Sequence, residues 1–241
     1  MDATTPLTLS LSLTRIRRTL LAIVLGLSSA SLAVEFSSYV SDRDPLEWFY
    51  PLLSLSVEGN IPTWYASMLL LSCGFALTLH AISARRASAS TTTRWSLLAL
   101  AFFYISMDEL VGVHEAASWW FDTDGWLYYG WVIPAAVIVL VFGLYQLGLL
   151  RALPRRARRQ FIVAGALYVG GALVMELPLG RWAEEHGSDN LGYALIDLVE
   201  ESLELLGASL FLTALLEHLW RVHGGFALSL SDATPSASVS E

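Results

Sequence analysis

The stretch Asp197-Leu-Val-Glu200-Glu201-Ser-Leu-Glu204 places four carboxylates inside a long apolar run. At about 100° per residue, the spacing i, i+3, i+4, i+7 puts all four on one face of a helix. A carboxylate near the middle of a bilayer costs about 2.5 to 3.5 kcal/mol on insertion scales. The rest of the chain must therefore hold this acidic stripe, defined as these four residues, away from lipid.

The composition is that of a membrane protein with several spans. Hydrophobic residues make up 55% of the 241 residues and charged residues only 15%, and the mean hydropathy is +0.55. Several apolar runs reach about 20 residues, which is enough to cross a hydrocarbon layer of ~30 Å. We expect an all-α fold whose main partner is the lipid bilayer and which binds no nucleic acid. Cys73 is the only cysteine, which excludes an intrachain disulfide and a Cys-rich zinc site.

Six transmembrane helices are predicted, in one domain that covers residues 15–223. They run over about 19–40, 62–84, 95–121, 126–150, 161–182 and 191–220. Residues 1–14 and the tail 224–241 are predicted to be disordered, and residues 41–61, which mix acids, aromatics and prolines, to lie on the outer interface. An alternative interpretation makes residues 1–33 a cleaved signal peptide and leaves five helices. In the fourth helix, Pro134 predicts a kink.

Two independent signals orient these helices. All 14 basic residues are arginine, and all except Arg43 and Arg181 fall on one side of the predicted membrane. The nine tryptophans lie in loops or near predicted helix ends, as an aromatic belt requires. The positive-inside rule therefore predicts that both termini are cytoplasmic, in the cell (inner) membrane, and that the acid-rich loops face the extracytoplasmic side.

The third predicted helix carries a second group of ionisable residues, within Ser106-Met-Asp108-Glu109-Leu-Val-Gly-Val-His114-Glu115. Asp108 and Glu115 are seven residues apart and share a face. Glu109 and His114 diverge to either side of that face by roughly 100° to 120°. Not all four side chains need therefore reach the same site.

Acids on three helices are predicted to lie at matching depths. At ~1.5 Å per residue, Asp108 should lie level with Glu204, and Glu115 level with Asp197. Glu176 of the fifth helix should lie close to that second, outer level. The predicted spans contain no lysine and no arginine other than Arg181, which is one residue from the outer end of the fifth helix. These acids must therefore be offset by protons, metal ions or water in a cavity open to the outside.

A divalent-metal site is the favoured interpretation of these acids. Its candidate ligands are one histidine and eight acids: Asp108, Glu109, His114, Glu115, Glu176, Asp197, Glu200, Glu201 and Glu204. Oxygen ligands suit Mn, Mg, Ca or Fe, whereas Zn would require the histidine. A metal-bound water could hydrolyse or hydroxylate a lipid-soluble small molecule that enters between helices. No organic cofactor is inferred.

Three other interpretations are open. The acids could be protonated and bonded to hydroxyls such as Ser106 and Ser202, with a purely structural role. They could form the ion path of a proton- or cation-coupled transporter. They could also meet a basic group of a partner, in a non-catalytic subunit of a membrane complex. The chain has no Gly-x-Ser-x-Gly, no His-Glu-x-x-His and no phosphate loop, so no motif names a reaction.

Overall fold

The computed structural model describes residues 12–41, 45–118, 120–121 and 123–224, apart from the side chains of Glu115 and Ser118. Throughout these residues the regular structure is helical. The helices are α1 Leu13–Val40, α2 Tyr50–Leu53, α3 Ile61–Arg86, α4 Thr92–Val111, α5 Val113–Ser118, α6 Val132–Ala152, α7 Arg155–Val169, α8 Glu176–His186 and α9 Leu191–His223. The predicted disorder of residues 1–11 and 225–241 falls outside the described part.

Within the described residues, four helices are long and apolar enough to cross a membrane. They are α1, α3, α6 and the continuous rod from Arg155 to His186 that α7 and α8 form. The other two long helices, α4 and α9, are the ones that carry the acids of the candidate site. The all-helical, membrane-type fold is confirmed, whereas six spans and cytoplasmic termini stay predictions.

The third predicted helix is interrupted, so its prediction as one continuous helix over 95–121 was wrong. α4 ends at Val111, Gly112 adopts a left-handed conformation with φ 65°, and α5 begins at Val113. Glycine lacks the Cβ that makes this conformation costly, which is why it commonly ends helices. The break changes the direction of the chain between Asp108 and His114, and the seven-residue face expected there does not run through it.

The sequence predicted a kink at Pro134 in the fourth helix, and this prediction was wrong. α6 begins at Val132, six residues later than predicted, because Gly125–Leu127 forms a separate 3-10 turn. Pro134 therefore lies in the first turn of α6, where the backbone N–H that proline lacks has no partner within the helix.

A π-helical turn, Gly170–Met175, joins α7 to α8. Pro178 follows three residues after the end of this turn. Its nitrogen cannot donate a backbone hydrogen bond, and its ring crowds the carbonyl of Val174, four residues earlier, within the turn. Wide turns of this kind are frequent at functional sites. Here the π turn sets the position of Glu176, the first residue of α8.

α9 is the central helix of the fold, because α1, α3, α7, the π turn and α8 all pack against it. Fully buried leucines from α3 and α9, including Leu70, Leu77 and Leu215, form the core between these two helices. α6 lies at the periphery and contacts α4, α7 and the π turn only sparsely.

Gly207 allows α7 to lie directly on α9. A Cβ at this position would come within 2.6 Å of the Tyr168 backbone nitrogen and 2.9 Å of the Ala164 carbonyl oxygen. The two backbones thus touch one turn below the acidic stripe, and Tyr168 is held beside it.

Candidate functional site: an acid-lined cavity

Two helices bring three carboxylates to one cavity. Glu109 of α4 and Glu201 and Glu204 of α9 line it, together with the Tyr168 side chain of α7. The apolar part of the lining consists of Ala66, Leu70, Leu205 and Ala208. We call this the central cavity. The cavity has room for about one water-sized occupant.

The charges of the central cavity are not balanced by basic residues. In the described part of the chain, no arginine forms an ion pair with Glu109, Glu201 or Glu204. The carboxylates of Glu204 and Glu109 both repel that of Glu201. Neighbouring like charges in an apolar environment cannot all be ionised without a cation or a shared proton.

The hydroxyls that a structural role would require are used elsewhere. The Ser106 hydroxyl donates to the Ser67 carbonyl oxygen at 2.8 Å, and the Ser67 hydroxyl donates to the Ser106 carbonyl oxygen at 2.6 Å. The Ser202 hydroxyl lies 2.7 Å from that of Ser28 on α1. These pairs join α3 to α4 and α9 to α1. Neither serine satisfies the acids beside it.

A second group of acids lies on the α8 side of α9. Glu200 interacts most strongly with Glu176 of α8 and then with Asp197, one turn earlier on α9. The hydroxyls of Tyr129 and Tyr193 are 2.9 Å apart, and Tyr193 interacts with both Asp197 and Glu176. Two phenols therefore border these acids.

Gly171 of the π turn sets the distance between α8 and the acidic stripe. A Cβ built at Gly171 would lie 2.7 Å from the Glu200 carbonyl oxygen and 2.7 Å from Cγ of Glu204. Only a glycine leaves the room for this approach. Because Glu176 follows five residues later, the close contact brings its carboxylate beside α9.

Asp108 and His114 form a pair of their own across the break between α4 and α5. Nδ1 of His114 is 2.8 Å from Oδ2 of Asp108, and the His114 backbone N–H donates to Oδ1 at 3.2 Å. The imidazole also packs on Trp131, with ring centroids 4.8 Å apart. α4 thus turns Glu109, rather than Asp108, toward Glu201 and Glu204.

The nine predicted site residues are therefore divided between three places. Glu109, Glu201 and Glu204 line the central cavity, Glu176, Asp197 and Glu200 lie on the α8 side, and Asp108 pairs with His114. The side chain of Glu115 lies outside the described residues. Among the described side chains, no group of three or more His, Cys, Asp and Glu residues is placed to hold a metal ion.

Residues 54–60, which we call the end segment, cover the acid-rich end of the bundle. The Ser54 hydroxyl donates to the Glu35 carboxylate of α1, which is 1% exposed, and the Leu55 N–H donates to the Ser31 hydroxyl at 2.9 Å. Burial raises the pKa of the neighbouring Tyr50 phenol, so Tyr50 keeps its proton at neutral pH.

The end segment also reaches the central cavity electrostatically. Glu58 is exposed, yet its charge acts on both Glu109 and Glu201. An exposed carboxylate this close to two cavity residues indicates that the cavity lies toward the acid-rich end of the molecule.

Sequence reasoning missed the tyrosines of the site. Tyr193 precedes Asp197 by four residues and so shares its helix face, and Tyr168 lies eight residues before Glu176 on the same rod. Its position one turn before an acid on the same helix was the available signal for Tyr193. Tyr168 reaches the cavity only because Gly207 lets α7 approach, which no spacing shows.

The family model described as a domain of unknown function (DUF8692) matches residues 18–219. The match includes α9 through the acidic stripe, the Asp108–His114 pair and the residues that line the central cavity. No curated protein and no solved structure matches the chain. Because the matched region covers most of the 241 residues, the chain belongs to the DUF8692 family.

Proposed function

We propose that this protein is an integral membrane protein that binds a cation in the central cavity and exchanges it with the extracytoplasmic side. The observation that carries the proposal is the convergence of Glu109, Glu201 and Glu204 on one cavity with no arginine paired to them in the described residues. Intramembrane acids of this kind mark ion and proton pathways.

The proton is the favoured cation. The polar groups of the cavity are carboxyls and one phenol, all of which hold or share protons. Adjacent carboxyls in an apolar site retain at least one proton between them, because each charge disfavours the next. The function that follows is proton binding coupled to transport.

Access from the extracytoplasmic side is supported by two observations. Glu58 in the end segment acts on Glu109 and Glu201, and this segment belongs to the loops that the arginine distribution assigns to the outside. Toward the opposite end of α9, Ala208, Phe211 and Leu215 are buried in the apolar core. The polar lining thus continues toward one side only.

A divalent-metal site is the second candidate, and it is supported by the interaction of His114, the partner of Asp108, with the Glu109 carboxylate of the cavity. Histidines that bind metals or act as bases commonly donate their second ring nitrogen to a carboxylate, which fixes the tautomer and the ring orientation. In this function Glu109, Glu201 and Glu204 supply oxygen ligands suited to Mn, Mg, Ca or Fe. The corresponding activity is hydrolysis or hydroxylation of a lipid-soluble substrate.

Two measurements test the proposal on purified full-length protein: metal content, and proton flux into liposomes followed with a pH-sensitive dye. The variants are Glu201→Gln and Glu204→Gln. The matched control is Glu217→Gln, since Glu217 lies on the same helix but pairs with Arg156 and Arg221 at the other end.

Flux that both cavity variants abolish and the control retains supports the proton function. Stoichiometric metal that is lost from the same two variants supports the metal site instead. A protein that contains no metal, and whose flux is equal in wild type and in all three variants, would refute the proposal that the cavity binds a cation.

A further inference from the structure

We propose that the acidic stripe serves two cation sites rather than one: the central cavity, and an outer site formed by Glu176 and Glu200, with Asp197 and Glu204 belonging to both. This inference rests on the proposed function and extends it, because it divides cation binding between two positions along α9.

Glu200 is the residue that points to a second ligand. Its side chain is 6% exposed, and its Oε2 atom is buried without a hydrogen-bond partner among the described residues. Buried polar atoms in native proteins are almost always satisfied, and an orphaned carboxylate oxygen is costly. Glu200 does not line the central cavity, so an occupant of that cavity does not satisfy it.

The geometry of α9 separates the two sites. Glu200 and Glu201 are consecutive and thus point about 100° apart, whereas Glu204 lies between them, about 40° from one and 60° from the other. Their electrostatic neighbours differ in the same way. On the neighbouring helices, Glu201 interacts with Glu109 of α4 and Glu200 with Glu176 of α8, while Glu204 interacts with both Glu109 and Glu176. Asp197 acts on both Glu200 and Glu201, so it lies, like Glu204, between the two sites.

The groups that can exchange protons with the outer site come from α8, from α9 and from two tyrosines. α8 contributes Glu176, α9 itself contributes Asp197, Glu201 and Glu204 around Glu200, and the paired hydroxyls of Tyr129 and Tyr193 border the site. The central cavity has one phenol of its own, Tyr168. The two sites thus have matching chemistry, carboxyls next to a phenol, and share Asp197 and Glu204.

Infrared spectroscopy of the purified protein distinguishes two sites from one. The carbonyl absorption of protonated carboxyl groups is recorded as a function of pH, with a chelator present, in wild type and in Glu200→Gln, Glu201→Gln and Glu204→Gln. Tyr193→Phe and Tyr168→Phe form a matched pair, since each removes one hydroxyl, the first at the outer site and the second at the central cavity.

We expect wild type to show two sets of carboxyl bands. Glu200→Gln should remove one set, Glu201→Gln the other, and Glu204→Gln should shift both. Tyr193→Phe should shift only the set lost in Glu200→Gln, and Tyr168→Phe only the set lost in Glu201→Gln. The tyrosine variants keep every carboxylate, so they report even where a glutamine variant does not fold.

Loss of the same bands in Glu200→Gln and Glu201→Gln, or equal shifts in the two tyrosine variants, would overturn the two-site inference and leave the proposed function standing. Absence of any protonated-carboxyl band that depends on these residues would remove both.

Discussion

Replacement of Gly171 by alanine tests the packing on which the site depends. The added Cβ would lie 2.7 Å from the Glu200 carbonyl oxygen and 2.7 Å from Glu204 Cγ, closer than carbon atoms approach either group. The first of these is a backbone atom of the central helix, so it cannot move aside as the end of a side chain can. The π turn must instead shift away from α9.

The neighbouring glycine provides the control. Gly170 belongs to the same π turn, and a Cβ there meets nothing within 4 Å. Both variants gain the same helix propensity, up to about 1 kcal/mol over glycine. The difference between them therefore isolates the clash. Overpacking costs about 1 to 3 kcal/mol, and a backbone contact places Gly171→Ala near the middle of that range or above it, at about 2 kcal/mol.

Thermal unfolding in detergent, followed by tryptophan fluorescence, measures this difference. At about 2 to 4 °C per kcal/mol for a chain of this size, Gly171→Ala should melt about 4 to 8 °C below Gly170→Ala. In the infrared experiment it should also shift the bands of the outer site, because Glu176 moves away from Glu200. If Gly171→Ala melts at or above the temperature of Gly170→Ala, the close approach of α8 to the acidic stripe is wrong.

Three further predictions concern the same framework. Gly207→Ala should lower the melting temperature, because a Cβ at this position meets a backbone atom at 2.6 Å. Gly165→Ala should not, because a Cβ there meets nothing within 4 Å. Equal melting temperatures of the two variants would contradict the contact between α7 and α9. Ser54→Ala should destabilise by about 1 to 3 kcal/mol and speed proteolysis of the end segment, since it removes one of the two hydroxyl donors, Ser54 and Tyr50, of the buried Glu35 carboxylate. Ser56→Ala, whose hydroxyl has no partner among the described residues, should be neutral in the same assay. Asp108→Ala should lower the free energy of unfolding by about 1 to 2 kcal/mol, measured by denaturant titration, because it removes the acceptor for a backbone N–H in the first turn of α5. Asp108→Asn keeps an acceptor and should lower it less. The reverse order would refute the capping role of Asp108.

The membrane-type helical fold follows from the chain alone. Apolar runs of about 20 residues, free of lysine and separated by arginine-rich or acid-rich loops, leave few options besides helices, because backbone polar groups in a bilayer must be satisfied within each segment. The clustering of acids on one face of the last helix is equally local, since it depends only on 3.6-residue periodicity. Both are properties of single segments, which is why sequence reasoning reaches them.

The partner of each acid depends on the packing between helices. Sequence spacing placed Asp108, rather than Glu109, level with Glu204 of α9. The left-handed turn at Gly112 lets Asp108 bind His114, and this leaves Glu109 to line the cavity. The glycine is visible in the sequence, but the side of α4 that faces α9 is set by how α3 and α4 pack.

The sequence by itself determined that acids lie within an apolar helix and that no lysine or arginine in a predicted span neutralises them. The tertiary structure decided that the acidic stripe is divided, with Glu201 on the α4 side and Glu200 on the α8 side. The physical reason is that the direction of a side chain on a helix is a local property. Which neighbour it meets depends on backbone contacts at Gly171 and Gly207, which join parts of the chain far apart in sequence.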